Sequence, residues 1–145
     1  MIGTYADAAL ALSMHLDNDS SMLLSADGTT RMVYLIGGVV YKVGSDFDNR
    51  NEFENITANA DNLPEGVCFP KVDLFEVAGN DIIAMEYIEG QAMSECFCEY
   101  YKEPHTNTCM PPWILDLVSN IIDDTGGDNV ILTDNGDIYI IDAAV

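Results

Sequence analysis

Basic side chains are what this 145-residue chain has least of: Lys and Arg together number 5, against 25 Asp and Glu, for a formal net charge of -20 at pH 7. Affinity for a phosphate backbone comes largely from Lys and Arg displacing counterions, so this scarcity argues against direct nucleic-acid binding. It argues against an anionic membrane surface for the same reason. Long apolar runs are lacking too, and no stretch approaches the roughly 20 residues needed to cross a bilayer. The opening Met1-Ile2-Gly3-Thr4-Tyr5-Ala6-Asp7 has no basic flank of the kind a secretory signal carries, and a cytoplasmic protein is the expectation. Cysteine is sparse; Cys68, Cys96, Cys98 and Cys109 read as reduced thiols or metal ligands, with no disulfide expected. Apolar residues are not lacking. At 48% of the chain they are enough for the core of one domain spanning 1–145.

Periodicity divides the chain into an N-terminal helix within 1–20, a strand-rich part over 21–89 and a more helical part over 90–145. Ala8, Ala9, Leu12 and Leu16 recur at helical spacing and predict a helix over 5–16. Short β-rich runs at 22–24, 32–36 and 39–43 predict an antiparallel meander turning at 25–28 and at Gly37-Gly38. A polar loop over 44–50 should lead into a short helix over about 51–60. Two more strands, at 71–77 and 81–87, should join through Gly79-Asn80. Beyond Gly90 the pattern predicts a helix over 92–102, a loop over 104–112, a buried helix over 113–122 and a closing hairpin around Asp134-Asn135-Gly136-Asp137.

This order of elements, with Val39-Val40-Tyr41-Lys42-Val43, Ile82-Ile83-Ala84-Met85-Glu86-Tyr87-Ile88-Glu89-Gly90, and Asp124 through Asn129 followed by Asp142, resembles the protein kinase and aminoglycoside phosphotransferase superfamily. The family's catalytic loop sets an asparagine five residues after its aspartate, as Asn129 follows Asp124 here, with Asp142 thirteen residues later. The resemblance implies an α+β kinase-like fold: a five-stranded antiparallel N-lobe with one helix, and a much reduced helical C-lobe ending in a β-hairpin. It also implies Mg-ATP as the ligand. Lys42 would hold phosphates, and a carboxylate on the following helix would position it. Glu52 is preferred over Glu54 because Phe53 and Ile56 stand one and four positions on, as in the family's helix. Gly28 and Thr29 would lie over the phosphates, and Glu86 and Tyr87 would flank the adenine dock. Asn129 and Asp142 would bind Mg²⁺, and Asp124 would orient the acceptor hydroxyl.

Ile122 stands where the family has a histidine or tyrosine, and Ala143-Ala144 where protein kinases have Phe-Gly. The resemblance therefore implies a miniature member, C-terminally truncated and virus-encoded. Two further readings accompany it. Cys96, Cys98, His105 and Cys109 are four potential zinc ligands in an unfamiliar spacing, with reduced thiols and a surface histidine as the simpler account. The acidity itself suits a catalytically inactive inhibitor, or nucleic-acid mimic, that binds a basic protein surface. A homodimer would supply what one copy lacks.

Overall fold

Thr4 opens the first helix: its hydroxyl oxygen accepts the Asp7 backbone N–H at 3.1 Å, satisfying a donor that the first turn leaves unpaired. Helix α1 (Tyr5–Leu16) then runs over the stretch its apolar spacing predicts, burying Ala8, Ala11, Leu12 and Met14. The computed structural model describes residues 1–27, 31–63, 65–92, 97–98, 103–104 and 130–142. They fall in two compact units. The first comprises Met1–Glu54 with Lys71–Tyr87, and the second Asn55–Pro70 with Ile88–Val145.

The first unit is built on β1 (Leu23–Asp27), β2 (Arg31–Ile36) and β3 (Val39–Val43), each antiparallel to the one before. The turn expected over 25–28 begins later than predicted, because Ser25, Ala26 and Asp27 still pair with Val33, Met32 and Arg31. After β3 comes α2 (Asp46–Asn59), which starts five residues before the expected helix. Ser45 explains the early start: its hydroxyl accepts the Asp48 N–H at 3.1 Å. Asp46 and Asp48 lie in the first turn, where carboxylates favour the positive end of the helix dipole. The loop expected over 44–50 is therefore mostly helix. A 3-10 turn (Ala60–Asn62) and the unanticipated short strand β4 (Val67–Cys68) follow. Strands β5 (Val72–Val77) and β6 (Asn80–Glu86) complete the first sheet in the order β1-β2-β3-β6-β5, antiparallel throughout. Their tight turn is Ala78-Gly79, one residue earlier than predicted, with φ of 51° and 82° and Val77 paired to Asn80.

In the second unit, β4, β7 (Gln91–Ala92), β10 (Val130–Leu132) and β11 (Ile138–Ile140) form a sheet ordered β4-β11-β10-β7, with β4 parallel to β11. The two remaining strands, β8 (Phe97–Cys98) and β9 (Glu103–Pro104), pair with each other. The helix expected over 92–102 is thus overturned where the structure describes that stretch. Phe97, an aromatic residue of the kind enriched in strands, suits the pleated conformation found there. The closing hairpin is present, its turn tied by Thr133, whose N–H donates to the Asp137 carbonyl at 2.9 Å. Gly90 admits no side chain, since a Cβ there would lie 2.4 Å from the Leu132 carbonyl oxygen. The helix expected over 113–122 lies outside the described residues.

The core of the first unit lies on one face of its sheet. Tyr34 and Ile36 of β2, Tyr41 and Val43 of β3, and Ile82 and Ala84 of β6 meet Ala8, Ala11, Leu12 and Met14 of α1. Side chains alternate along a strand, so the residues between these point the other way. Lys42 is one of them.

Candidate functional site

On that second face, Lys42 of β3 stands between Val33 and Ile83 in the register of the sheet. It is 4% exposed, yet it carries an ammonium. A buried charge is tolerated only when paired and hydrogen-bonded. The partner is Glu52 of α2, fully buried, whose Oε1 and Oε2 accept from Lys42 Nζ at 2.9 and 3.1 Å. Glu54, two residues on, is exposed, so helix geometry separates the two candidate carboxylates.

Glu52 serves a second cation that sequence reasoning missed. Arg31, the first residue of β2 and 5% exposed, donates from Nη1 to Glu52 Oε1 at 2.8 Å. The same nitrogen reaches Asn49 Oδ1 at 3.2 Å. The available signal was that only five Lys and Arg exist in the chain and one of them opens a strand. Asn49 was missed as well, because it lay in a stretch read as loop. Fully buried, it donates from Nδ2 to the Lys42 carbonyl and to the Asp81 carbonyl, each at 2.9 Å. Asp81 is gripped further. Its backbone N–H donates to Asp46 Oδ1 at 3.0 Å, and its carboxylate accepts from Arg50 Nε at 3.0 Å.

Chemically, this arrangement holds a buried ammonium and a buried guanidinium on one shared carboxylate, at a fixed place on a rigid sheet. A cation fixed in this way suits an anionic ligand, because its orientation is set before binding. Among the described residues, no buried side-chain nitrogen or oxygen lacks a hydrogen-bond partner.

The other expected site residues are placed less closely. At the end of β6, Glu86 exchanges backbone hydrogen bonding with Lys71, its N–H donating to the Lys71 carbonyl at 2.9 Å, while its carboxylate accepts the Lys71 N–H at 3.2 Å. Tyr87 follows it and is exposed. Asp142 is half-buried and stands two residues past β11 in the second unit. Gly28, Thr29, Asp124 and Asn129 lie outside the described residues, as do Cys96, His105 and Cys109. Of the four expected zinc ligands only Cys98 is described, in β8. Among the described residues no group of three or more His, Cys, Asp or Glu could hold a metal ion. No helix among them is long and apolar enough to cross a membrane.

No family model matches the sequence, and no curated protein matches it. Solved structures of kinase-like phosphotransferases do resemble the chain. The crystal structure of WbdD, a bifunctional kinase-methyltransferase, is 17% identical over 83% of this chain and 31% of that one, with a TM-score of 0.49. WbdD co-crystallised with the kinase inhibitor LY294002 is 18% identical over 80% of this chain and 31% of that one, at 0.46. The GDP complex of aminoglycoside 2'-phosphotransferase-IIIa is 16% identical over 63% and 33%, at 0.40. The chain spans about a third of the length of each.

Proposed function

We propose that this chain is a kinase-like protein that binds Mg-ATP and transfers a phosphoryl group to a protein or small-molecule hydroxyl. The observation that carries the reading is the buried Lys42–Glu52 pair, which joins the third strand of an antiparallel five-stranded sheet to the helix directly after it. In this reading Glu52 holds the Lys42 ammonium in place, and Lys42 binds nucleotide phosphates. Backbone amides at Gly28 and Thr29 add donors to the phosphates, and the chain at Glu86 and Tyr87 receives the adenine. Asp142 and Asn129 offer oxygen ligands of the kind Mg²⁺ takes, and Asp124 orients the acceptor hydroxyl. When bound, Mg²⁺ would neutralise charge on the phosphates.

Calorimetric titration of ATP, with and without Mg²⁺, tests the reading. Wild type should bind in a metal-dependent manner, Asp142→Ala should lose that dependence, and Lys42→Ala should bind more weakly. Unchanged affinity in Lys42→Ala, or no binding by wild type at millimolar ATP, overturns it.

A second reading is favoured by one observation, the formal charge of -20. It makes the chain a catalytically inactive, kinase-like inhibitor whose acidic surface docks a basic protein. Binding to such a partner would fall steeply with added salt and would be indifferent to Asp142→Ala. Retention of that binding at high salt would count against it.

A further inference from the structure

We infer that Asn49 is a positioning residue for the Lys42–Glu52 pair, setting the register of α2 on the sheet so that the carboxylate reaches the ammonium before any ligand arrives. The role assigned to the pair rests on the nucleotide reading; its formation does not.

The argument starts from what α2 lacks. Its first nine residues are Asp46-Phe47-Asp48-Asn49-Arg50-Asn51-Glu52-Phe53-Glu54, and Phe47 is 75% exposed. The buried apolar side chain of α2, Ile56, and the half-buried Phe53 lie in its later turns, so the first two turns have little apolar surface with which to choose a seat on the sheet, and apolar packing is non-directional in any case. Hydrogen bonds are directional, and those that tie this helix to strand backbone at its second turn come from Asn49. Its amide nitrogen reaches carbonyls on two neighbouring strands, Lys42 of β3 and Asp81 of β6, and its amide oxygen accepts from Arg31 of β2. One uncharged side chain therefore touches three strands. Glu52 lies three residues on, hence on the same helix face. Fixing Asn49 fixes where Glu52 falls. The bond to the Lys42 carbonyl is the most telling, because it ties the helix to the backbone of the residue whose side chain Glu52 must meet. Asp46 adds a further bond to Asp81 one turn earlier. Neither residue bears on the ammonium directly.

The test reads the ammonium itself. The chain has three lysines, Lys42, Lys71 and Lys102, so ¹⁵N-lysine labelling gives a spectrum simple enough to assign with a Lys42→Arg variant. Buried, ion-paired ammonium protons exchange slowly with water and give a sharp signal. In Asn49→Ala the Lys42 signal should broaden or vanish, and Mg-ATP should bind about tenfold more weakly, the equivalent of one lost hydrogen bond. Leu12→Ala, in the core under α1, should lose thermal stability yet keep the signal and the affinity. That contrast is one a merely structural role for Asn49 would not produce. Should Asn49→Ala unfold, trimethylamine oxide restores burial without supplying the missing bonds, and the same spectrum is taken there. Asp46→Ala should shift the Lys42 signal in the same direction by less. A sharp, unmoved Lys42 signal in both variants overturns the inference. The spectrum needs no nucleotide, so an altered signal in a protein that never binds ATP would refute the nucleotide reading and leave the positioning role standing.

Discussion

Helix α1 and the part of α2 that belongs to the first unit, Asp46 to Glu54, sit on one sheet by opposite means. Helix α1 covers its face with Ala8, Ala11, Leu12 and Met14 against Tyr34, Tyr41, Ile82 and Ala84, an attachment made of apolar area. Helix α2 meets the other face through Asn49, Glu52, Asp46 and Arg50, an attachment made of hydrogen bonds and ion pairs. Three of the chain's five Lys and Arg, Arg31, Lys42 and Arg50, take part in it. Apolar burial stabilises strongly but tolerates small shifts; buried polar bonds add less net stability but admit few geometries. The difference teaches where precision is concentrated in this unit. One face holds the sheet together, and the other holds particular atoms in particular places.

Removing the centre of the polar face should produce the largest effect. Glu52→Ala leaves Arg31 and Lys42 buried around a missing carboxylate and should cost about 3–5 kcal/mol in urea unfolding, the usual penalty for breaking a buried pair. A loss below about 1 kcal/mol would mean that the pair is not buried in solution. On the apolar face, Leu12→Ala should cost about 3 kcal/mol through lost transfer energy and a cavity. Gly3→Ala comes next. A Cβ there would lie 2.5 Å from the Tyr41 hydroxyl, and φ is +73°, so a loss of about 1–2 kcal/mol is expected. Arg50→Ala should cost less than about 1 kcal/mol, because that side chain is half exposed, and the loss should shrink further in high salt. The Leu12→Ala loss should not shrink in salt, and equal salt dependence of the two variants would erase the contrast between the faces.

How much was legible in the sequence follows the same division. The span of α1 and the strand at 39–43 were read correctly because apolar spacing reports the faces that bury apolar area. The start of α2 was read as loop because Asp46-Phe47-Asp48-Asn49-Arg50 has no apolar period, and the bonds that seat it are polar. The same blindness hid Arg31 and Asn49. Arg31 meets Glu52 only because the sheet's register carries β2 alongside β3, which composition does not report. Glu52 could be told from Glu54 because Phe53 and Ile56 orient the helix, and the structure buries the first and exposes the second. At 92–102 the spacing pointed to a helix, but the described residues of that stretch, 97–98, pair as a strand with 103–104, a partnership across the chain that local periodicity does not report.

The smallest effect expected lies at the margin of the apolar face, where charge enters only at extreme pH. Burial raises the Tyr34 phenol above its ordinary value, and the nearby Asp19 carboxylate pushes it further the same way. A group whose folded pKa is raised binds its proton more tightly in the native state, so stability is untouched below the unfolded value of about 10 and falls as pH climbs from there through the folded one. Asp19 behaves in the reverse sense. The Ser21 backbone N–H, and then its hydroxyl, hold that carboxyl below its ordinary value, so its contribution is present above the unfolded value and is lost as pH falls through the folded one. Melting temperatures of wild type and Tyr34→Phe, followed from pH about 8 to about 12, should diverge only on the alkaline limb, where the variant is the flatter of the two. Equal alkaline slopes would place Tyr34 in water, and the apolar face would then be less dry than the burial of Tyr34 in the same cluster as Leu12 and Met14 requires.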